Sequence, residues 1–205
     1  MRRKAILLSL LLGLSFTQAA CEGQLRYSAE PIEAWVIDAE TKKPLEGVIV
    51  TANWELTGGW EGSYPKGQMM VMEAVSDANG RFRFPGWGPK LHLGEGKLRD
   101  IQPQLTVFKS GYQHRILFNE ARSNAVYSGK SDWSGKPIDL KKFSGTPKEW
   151  LETLERVIPR YQRREDARDS IMLRAILAEE NSVPDSIIHK RPFFDNIVRR
   201  LLEGK

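Results

Sequence analysis

Met69-Met70-Val71-Met72-Glu73-Ala74-Val75-Ser76-Asp77-Ala78-Asn79-Gly80-Arg81-Phe82-Arg83-Phe84-Pro85 is the stretch on which the fold turns. An apolar run stops at the short polar break Ser76–Gly80 and resumes as Arg81-Phe82-Arg83-Phe84, alternating polar and apolar. Asn and Gly tolerate the positive φ that a tight turn demands, and alternation matches the period of a half-buried strand. The stretch is therefore expected to be a β-hairpin.

The same signals repeat on either side. Upstream, Ile32–Ile37 and Val48–Trp54 alternate β-branched and aromatic residues around a turn containing Thr41, Pro44 and Gly47. Downstream, Gln104–Lys109 stops at Ser110-Gly111-Tyr112, His114–Phe118 is placed to run back beside it, and Pro137–Lys141 offers a last short strand. With the central pair these make seven strands with no helical period between them, which predicts a mainly β chain. The expected fold over residues 31–143 is a seven-stranded antiparallel β-sandwich.

The blocks that carry these turns resemble a known family. Val36-Ile37-Asp38 with Lys43–Val50, then Val75–Phe84, then Leu105–Tyr112, are similar in order and spacing to a carboxypeptidase regulatory-like domain. The resemblance covers about residues 31–142, and each block sets a glycine at its turn: Gly47, Gly80 and Gly111. It implies a transthyretin-like (prealbumin-like) sandwich serving as an accessory or interaction module, and none of its shared residues is catalytic. A hydroxyisourate hydrolase shares that fold but is marked by a Tyr-Arg-Gly-Ser ending, whereas this sequence closes on Lys205.

The N-terminus reads as an address. Arg2, Arg3 and Lys4 precede an apolar run from Ala5 to Phe16, and small residues close it. A run of about a dozen residues is short of the ~20 that cross a bilayer, so residues 1–20 are expected to be a signal peptide. The single cysteine, Cys21, follows Ala19-Ala20 and has no partner for an internal disulfide. This arrangement resembles a bacterial lipoprotein signal in which Cys21 carries the lipid. Gln18 departs from the aliphatic residue usual at that place, and cleavage after Ala19, with Thr17 and Ala19 as the small pair, is the alternative. Export to the periplasm or outer membrane is expected either way. Losing the leader lowers the net charge from +5 to +2, which removes the case for a nucleic-acid partner. Residues 21–30 are polar and aperiodic and are expected to be a tether.

Two long insertions, Glu55–Gln68 and Gly86–Pro103, hold the candidate binding surface. Trp60, Tyr64 and Trp87, with Trp133 and the neighbouring Trp54, have the chemistry of an aromatic platform for a glycan or a protein. The competing reading is that these rings cover the end of the core. The histidines His92, His114 and His189 have no ligand spacing, and no metal or cofactor is expected. Asp77-Ala78-Asn79-Gly80 imitates the start of a calcium loop without its later carboxylate. No phosphate loop, nucleophile elbow or zinc-protease motif occurs, so no catalytic residue is assigned.

After Phe143 the period changes, and residues 144–205 are expected to be a helical extension. Thr146-Pro147-Lys148-Glu149 is a capping box, and Trp150, Leu151, Leu154, Val157 and Ile158 share one helical face. A second amphipathic stretch holds Ile171, Met172, Leu173, Ile176 and Leu177, and further helix is expected over Pro184–His189 and from Pro192. Twelve basic and eleven acidic residues follow from Pro147 onward, a balance unlike that of membrane-surface helices. The expected function is a non-catalytic binding or scaffolding module of the bacterial envelope, held to the membrane through an N-terminal lipid only. Its partner is expected to be an envelope protein or a glycan, with a carbohydrate-binding module as the alternative and a hydrolase behind both.

Overall fold

The computed structural model describes residues 25–59, 64–121, 126–157 and 170–184. Its elements in chain order are β1 (Leu25–Ala29), β2 (Ile32–Asp38), β3 (Ile49–Gly58), β4 (Tyr64–Val75), β5 (Arg81–Phe84), β6 (Trp87–His92), β7 (Gln104–Phe108), β8 (Arg115–Leu117) and β9 (Pro137–Leu140), then α1 (Pro147–Glu155) and α2 (Ile171–Ser182). The molecule is mainly β with helix after it, as the alternation predicts.

Two sheets enclose the core. One has the order β4-β3-β7-β8, antiparallel throughout. The other has the order β5-β2-β9, in which β9 runs parallel to β2. Ala34, Val36, Phe82, Phe84 and Ile138 of the smaller sheet meet Val50, Ala52, Trp54, Leu105 and Val107 of the larger one. Phe84 is 1% exposed, and burying a side chain of that size stabilises by about 2 kcal/mol.

The described residues hold nine strands, where seven were expected. One extra strand is β1, which falls inside the expected tether: Leu25–Ala29 pairs antiparallel with β6. Its short polar sequence hides an alternation in which Tyr27 and Ala29 face the core. The other is β6 itself, which occupies the insertion read as a loop. The first insertion is largely a continuation of β3 and β4, which pair as far as Gly58 and Tyr64.

The central stretch is also corrected. β4 pairs with β3 in one sheet and β5 with β2 in the other, so Met69–Pro85 is a corner between sheets and not a hairpin. Ser76 makes the change of partner. Its N–H donates to the Val48 carbonyl at 2.9 Å, while its buried hydroxyl accepts from the Val48 N–H at 2.9 Å and donates to the Leu45 carbonyl at 2.7 Å. Beyond the turn, the Val36 N–H donates to the Gly80 carbonyl at 2.8 Å. Gly80 lies at φ 72°, and a Cβ there would collide with the Val36 carbonyl. Gly47 and Gly111, the other two turn glycines, share its left-handed conformation.

The helices form a third layer on the outer face of the larger sheet. The Thr146 side chain accepts from the Glu149 N–H at 3.3 Å, and Glu149 accepts from the Thr146 N–H at 2.7 Å, completing the capping box. Trp150, Leu151, Leu154 and Val157 then pack with Met172, Leu173 and Ile176 over Ile49 and Phe108. α2 is seated on the sandwich by Glu73 of β4. That carboxylate accepts from the Ser170 hydroxyl and the Ile171 N–H, each at 2.6 Å, supplying negative charge to a helix N-terminus. Residues 1–24, Ile158, the expected turn beyond Pro184 and the helix expected from Pro192 lie outside the described residues.

Candidate functional site

The expected aromatic surface does not come together as one platform. Trp54 and Trp87 are 1% and 8% exposed, and their rings meet edge to face at 5.5 Å inside the end of the sandwich. Trp87 is therefore corrected from a surface residue to a core residue. It opens β6, and the pairing of that strand with β1 turns its ring inward. Tyr27 and Tyr127 continue the cluster at 5.6 Å, and the Tyr27 hydroxyl accepts from the Leu98 N–H at 3.3 Å. Trp133 is half-buried elsewhere on the core, with its indole N–H donating to the Phe118 carbonyl at 3.0 Å and Arg115 over its ring. Tyr64 is 66% exposed near the tip of the β3–β4 ribbon. Trp60 and Cys21 lie outside the described residues.

Sequence reasoning missed the polar side of this cluster. The Trp54 and Trp87 indole nitrogens and the Tyr127 hydroxyl are buried without a hydrogen-bond partner. Trp54 Nε1 and the Tyr127 hydroxyl face each other short of hydrogen-bond geometry, and burial pushes the Tyr127 phenol well above its ordinary range. Nothing in the pattern of Trp and Tyr spacing signals this, because it depends on which strand ends meet.

The titratable candidates are dispersed. His92 Nε2 lies 3.1 Å from the Glu95 carbonyl near the surface. His114 is half-buried at the other side of the larger sheet, where burial and the nearby Arg156 charge lower its pKa. His189 lies outside the described residues. Asp77 spends its carboxylate inside its own turn, accepting from the N–H groups of Asn79 at 2.9 Å and Arg81 at 2.8 Å. Among the described residues no group of three metal-ligating side chains converges.

A concave site does exist where the helical layer meets the sandwich. A groove of about 330 Å³ runs between Ser110, Gly111 and Phe143 on one side and Thr146, Trp150, Glu179 and Val183 on the other. Its size is at the lower end of ligand pockets, suited to one or two side chains of a peptide. The Phe143 and Trp150 rings stand 4.9 Å apart, and the Trp150 indole N–H donates to Glu179 Oε2 at 3.2 Å. That bond fixes the carboxylate at the groove edge and leaves it lone pairs for a further donor. An apolar wall beside one oriented carboxylate suits a basic side chain with an aliphatic stem.

No family model matches the sequence, and no curated protein matches it. Among solved structures, the chain is similar to a 3-chlorocatechol 1,2-dioxygenase from Rhodococcus opacus, with 12% identity, 60% of this chain and 62% of that chain covered, and a TM-score of 0.34. It is also similar to a type II Cohesin-X-Dockerin complex from Acetivibrio cellulolyticus, with 12% identity, 84% of this chain and 94% of that chain covered, and a TM-score of 0.28. A chlorocatechol 1,2-dioxygenase from Pseudomonas putida gives 12% identity, 56% and 61% coverage, and a TM-score of 0.30. The chain spans less than two thirds of the length of these dioxygenases. TM-scores at this level fall short of a shared fold.

Proposed function

We propose that the chain is an exported, non-catalytic binding module of a bacterial envelope, held to a membrane through Cys21, and that a basic peptide segment of a partner protein seats in the Phe143–Trp150–Glu179 groove. The observation that carries the binding reading is the groove itself: an aromatic wall and an oriented carboxylate at the junction of sandwich and helices. The three glycine-bearing blocks support reading the sandwich as a transthyretin-like accessory domain. The charged start, short apolar run and Ala-Ala-Cys ending support export and lipidation.

A photocrosslinker at Ser182, on the groove rim, tests the partner in intact cells. A crosslinked protein that disappears when Glu179→Lys is added, with the fold retained, is the expected result. Crosslinks indifferent to that charge reversal refute the groove. Cys21→Ser separately tests the anchor, since the protein is expected to leave the membrane fraction.

A further inference from the structure

The correction of the tether to a strand changes how the anchored molecule must stand. Glu22, Gly23 and Gln24 are the three residues between Cys21 and Leu25, and four Cα steps reach at most about 14 Å. Leu25 pairs with His92. The chain therefore leaves the sandwich at the end formed by β1, the close of β6 and the loop that follows.

That end carries three of the exposed large apolar side chains. Leu93 is 76% exposed, Leu91 42% and Tyr64 66%. They lie at the same end: Leu91 is opposite Arg26, and the loop 93–97 is held to the β3–β4 ribbon that carries Tyr64 by the Lys66–Glu95 ion pair at 2.6 Å and the Thr57–Lys97 bridge. Arg26, on the Leu91 face of the ribbon, and Lys97 are exposed among them. Exposed Leu and Tyr beside Arg26 and Lys97, with the one acid of the loop, Glu95, answered by Lys66, is the chemistry of a surface that inserts at the headgroup level of an anionic bilayer.

We infer that this end of the sandwich docks on the membrane, with Leu91, Leu93 and Tyr64 entering the headgroup region and Arg26 and Lys97 meeting lipid phosphate. The inference rests on the anchoring at Cys21 proposed above and goes beyond it, because the lipid is then not the sole membrane contact. The module is held end-on with a fixed orientation. β4 runs twelve residues from Tyr64, so the Ser76–Gly80 corner faces away at about 35 Å.

The single cysteine allows a direct test. Purified mature chain is coupled through Cys21 to maleimide-bearing lipid in phosphatidylglycerol–phosphatidylcholine vesicles, and amide exchange is compared with that of the same chain capped at Cys21. Exchange in the Leu93–Gly96 loop is expected to slow about tenfold on vesicles, with Ser76–Gly80 unchanged. Leu91→Asp with Leu93→Asp is expected to restore the free rate at an unchanged Tm. If that pair unfolds the end, Arg26→Glu with Lys97→Glu replaces it and is expected to do the same. Unchanged exchange at Leu93–Gly96, equal slowing at both ends, or slowing that survives the folded variant overturns the docking. Chemical coupling replaces cellular lipidation, so the vesicle result judges the surface by itself, and the anchor is judged by whether Cys21→Ser combined with Leu91→Asp and Leu93→Asp leaves the cell membrane while the Leu pair alone stays.

Discussion

His114 lies half-buried just before β8, with Nδ1 buried and unpartnered and the Arg156 charge near it. Both burial and that charge favour the neutral ring, so the folded pKa falls below the unfolded 6.5. Above pH 6.5 the residue is neutral in both states and exerts no pH effect; as pH drops below that value the unfolded chain takes up a proton that the folded one resists, and stability declines. His114→Gln is expected to flatten the fall of Tm between neutral and mildly acid pH, measured by thermal melts across a buffer series. Asp38 works in the opposite sense. Its carboxylate accepts from the Thr41 N–H at 2.8 Å, the Glu40 N–H at 3.0 Å and the Tyr112 hydroxyl at 3.1 Å. The Thr41 N–H is the main cause holding its pKa near 2 against the unfolded 3.8, with burial opposing. The stabilisation is thus present above pH 3.8 and lost as pH falls toward 2. Asp38→Asn is expected to lower Tm by several degrees at neutral pH, and the gap from the parent should close in acid; a constant gap would assign the loss to packing.

The elements show where sequence patterning decides structure and where it does not. Glu73 on β4 joins the N-terminus of α2, from Ser170 to Met172, to the sheet. Glu73→Ala removes the acceptor from the Ser170 hydroxyl and the Ile171 N–H, and a hydrogen bond to a charged group contributes about 1.5–3 kcal/mol net of the water it displaces. A destabilisation of about 2 kcal/mol in urea melts is expected, together with faster amide exchange in α2 than in β3. Both helices were legible because their signals are local: a capping box at Thr146–Glu149 and apolar residues at helical spacing. Strand existence was legible for the same reason in β2, β3, β5 and β7. Strand partnership was not, because Arg81-Phe82-Arg83-Phe84 alternates identically whether it pairs with β4 or with β2. What decides is Ser76, whose buried hydroxyl holds the Leu45 and Val48 backbone and carries the chain to the other sheet. Tyr27 and Ala29 escaped recognition because β1 is short and its alternation spans only five residues, while Trp87 stood between the platform and core readings until the pairing of β6 with β1 showed which side is inside. The Phe143–Trp150–Glu179 groove was likewise illegible, since it joins residues of the sandwich end to both helices.

At the scale of the whole molecule, the larger sheet is covered on two sides: its inner face by the smaller sheet, and part of its outer face by α1 and α2. Ile49 and Phe108 are 9% and 2% exposed only because the helices lie over them, with the Phe108 and Trp150 rings stacked at 6.3 Å. Deleting residues 146–205 uncovers an apolar strip on a sheet that, among the described residues, ends on β4, an arrangement prone to association between copies. The truncated chain is accordingly expected to aggregate. Replacing Ile49 and Phe108 with Thr in that truncation keeps the preference for strand while making the strip polar, and is expected to restore a soluble monomer by size-exclusion chromatography. The same pair in the full chain should loosen the helices, seen as protease cleavage within α1 and α2 ahead of the strands. If instead the simple truncation remains monomeric and folded, the helices contribute nothing to covering the sandwich. The Phe143–Trp150–Glu179 groove, which needs both layers in contact, would then have no fixed shape with which to select a partner.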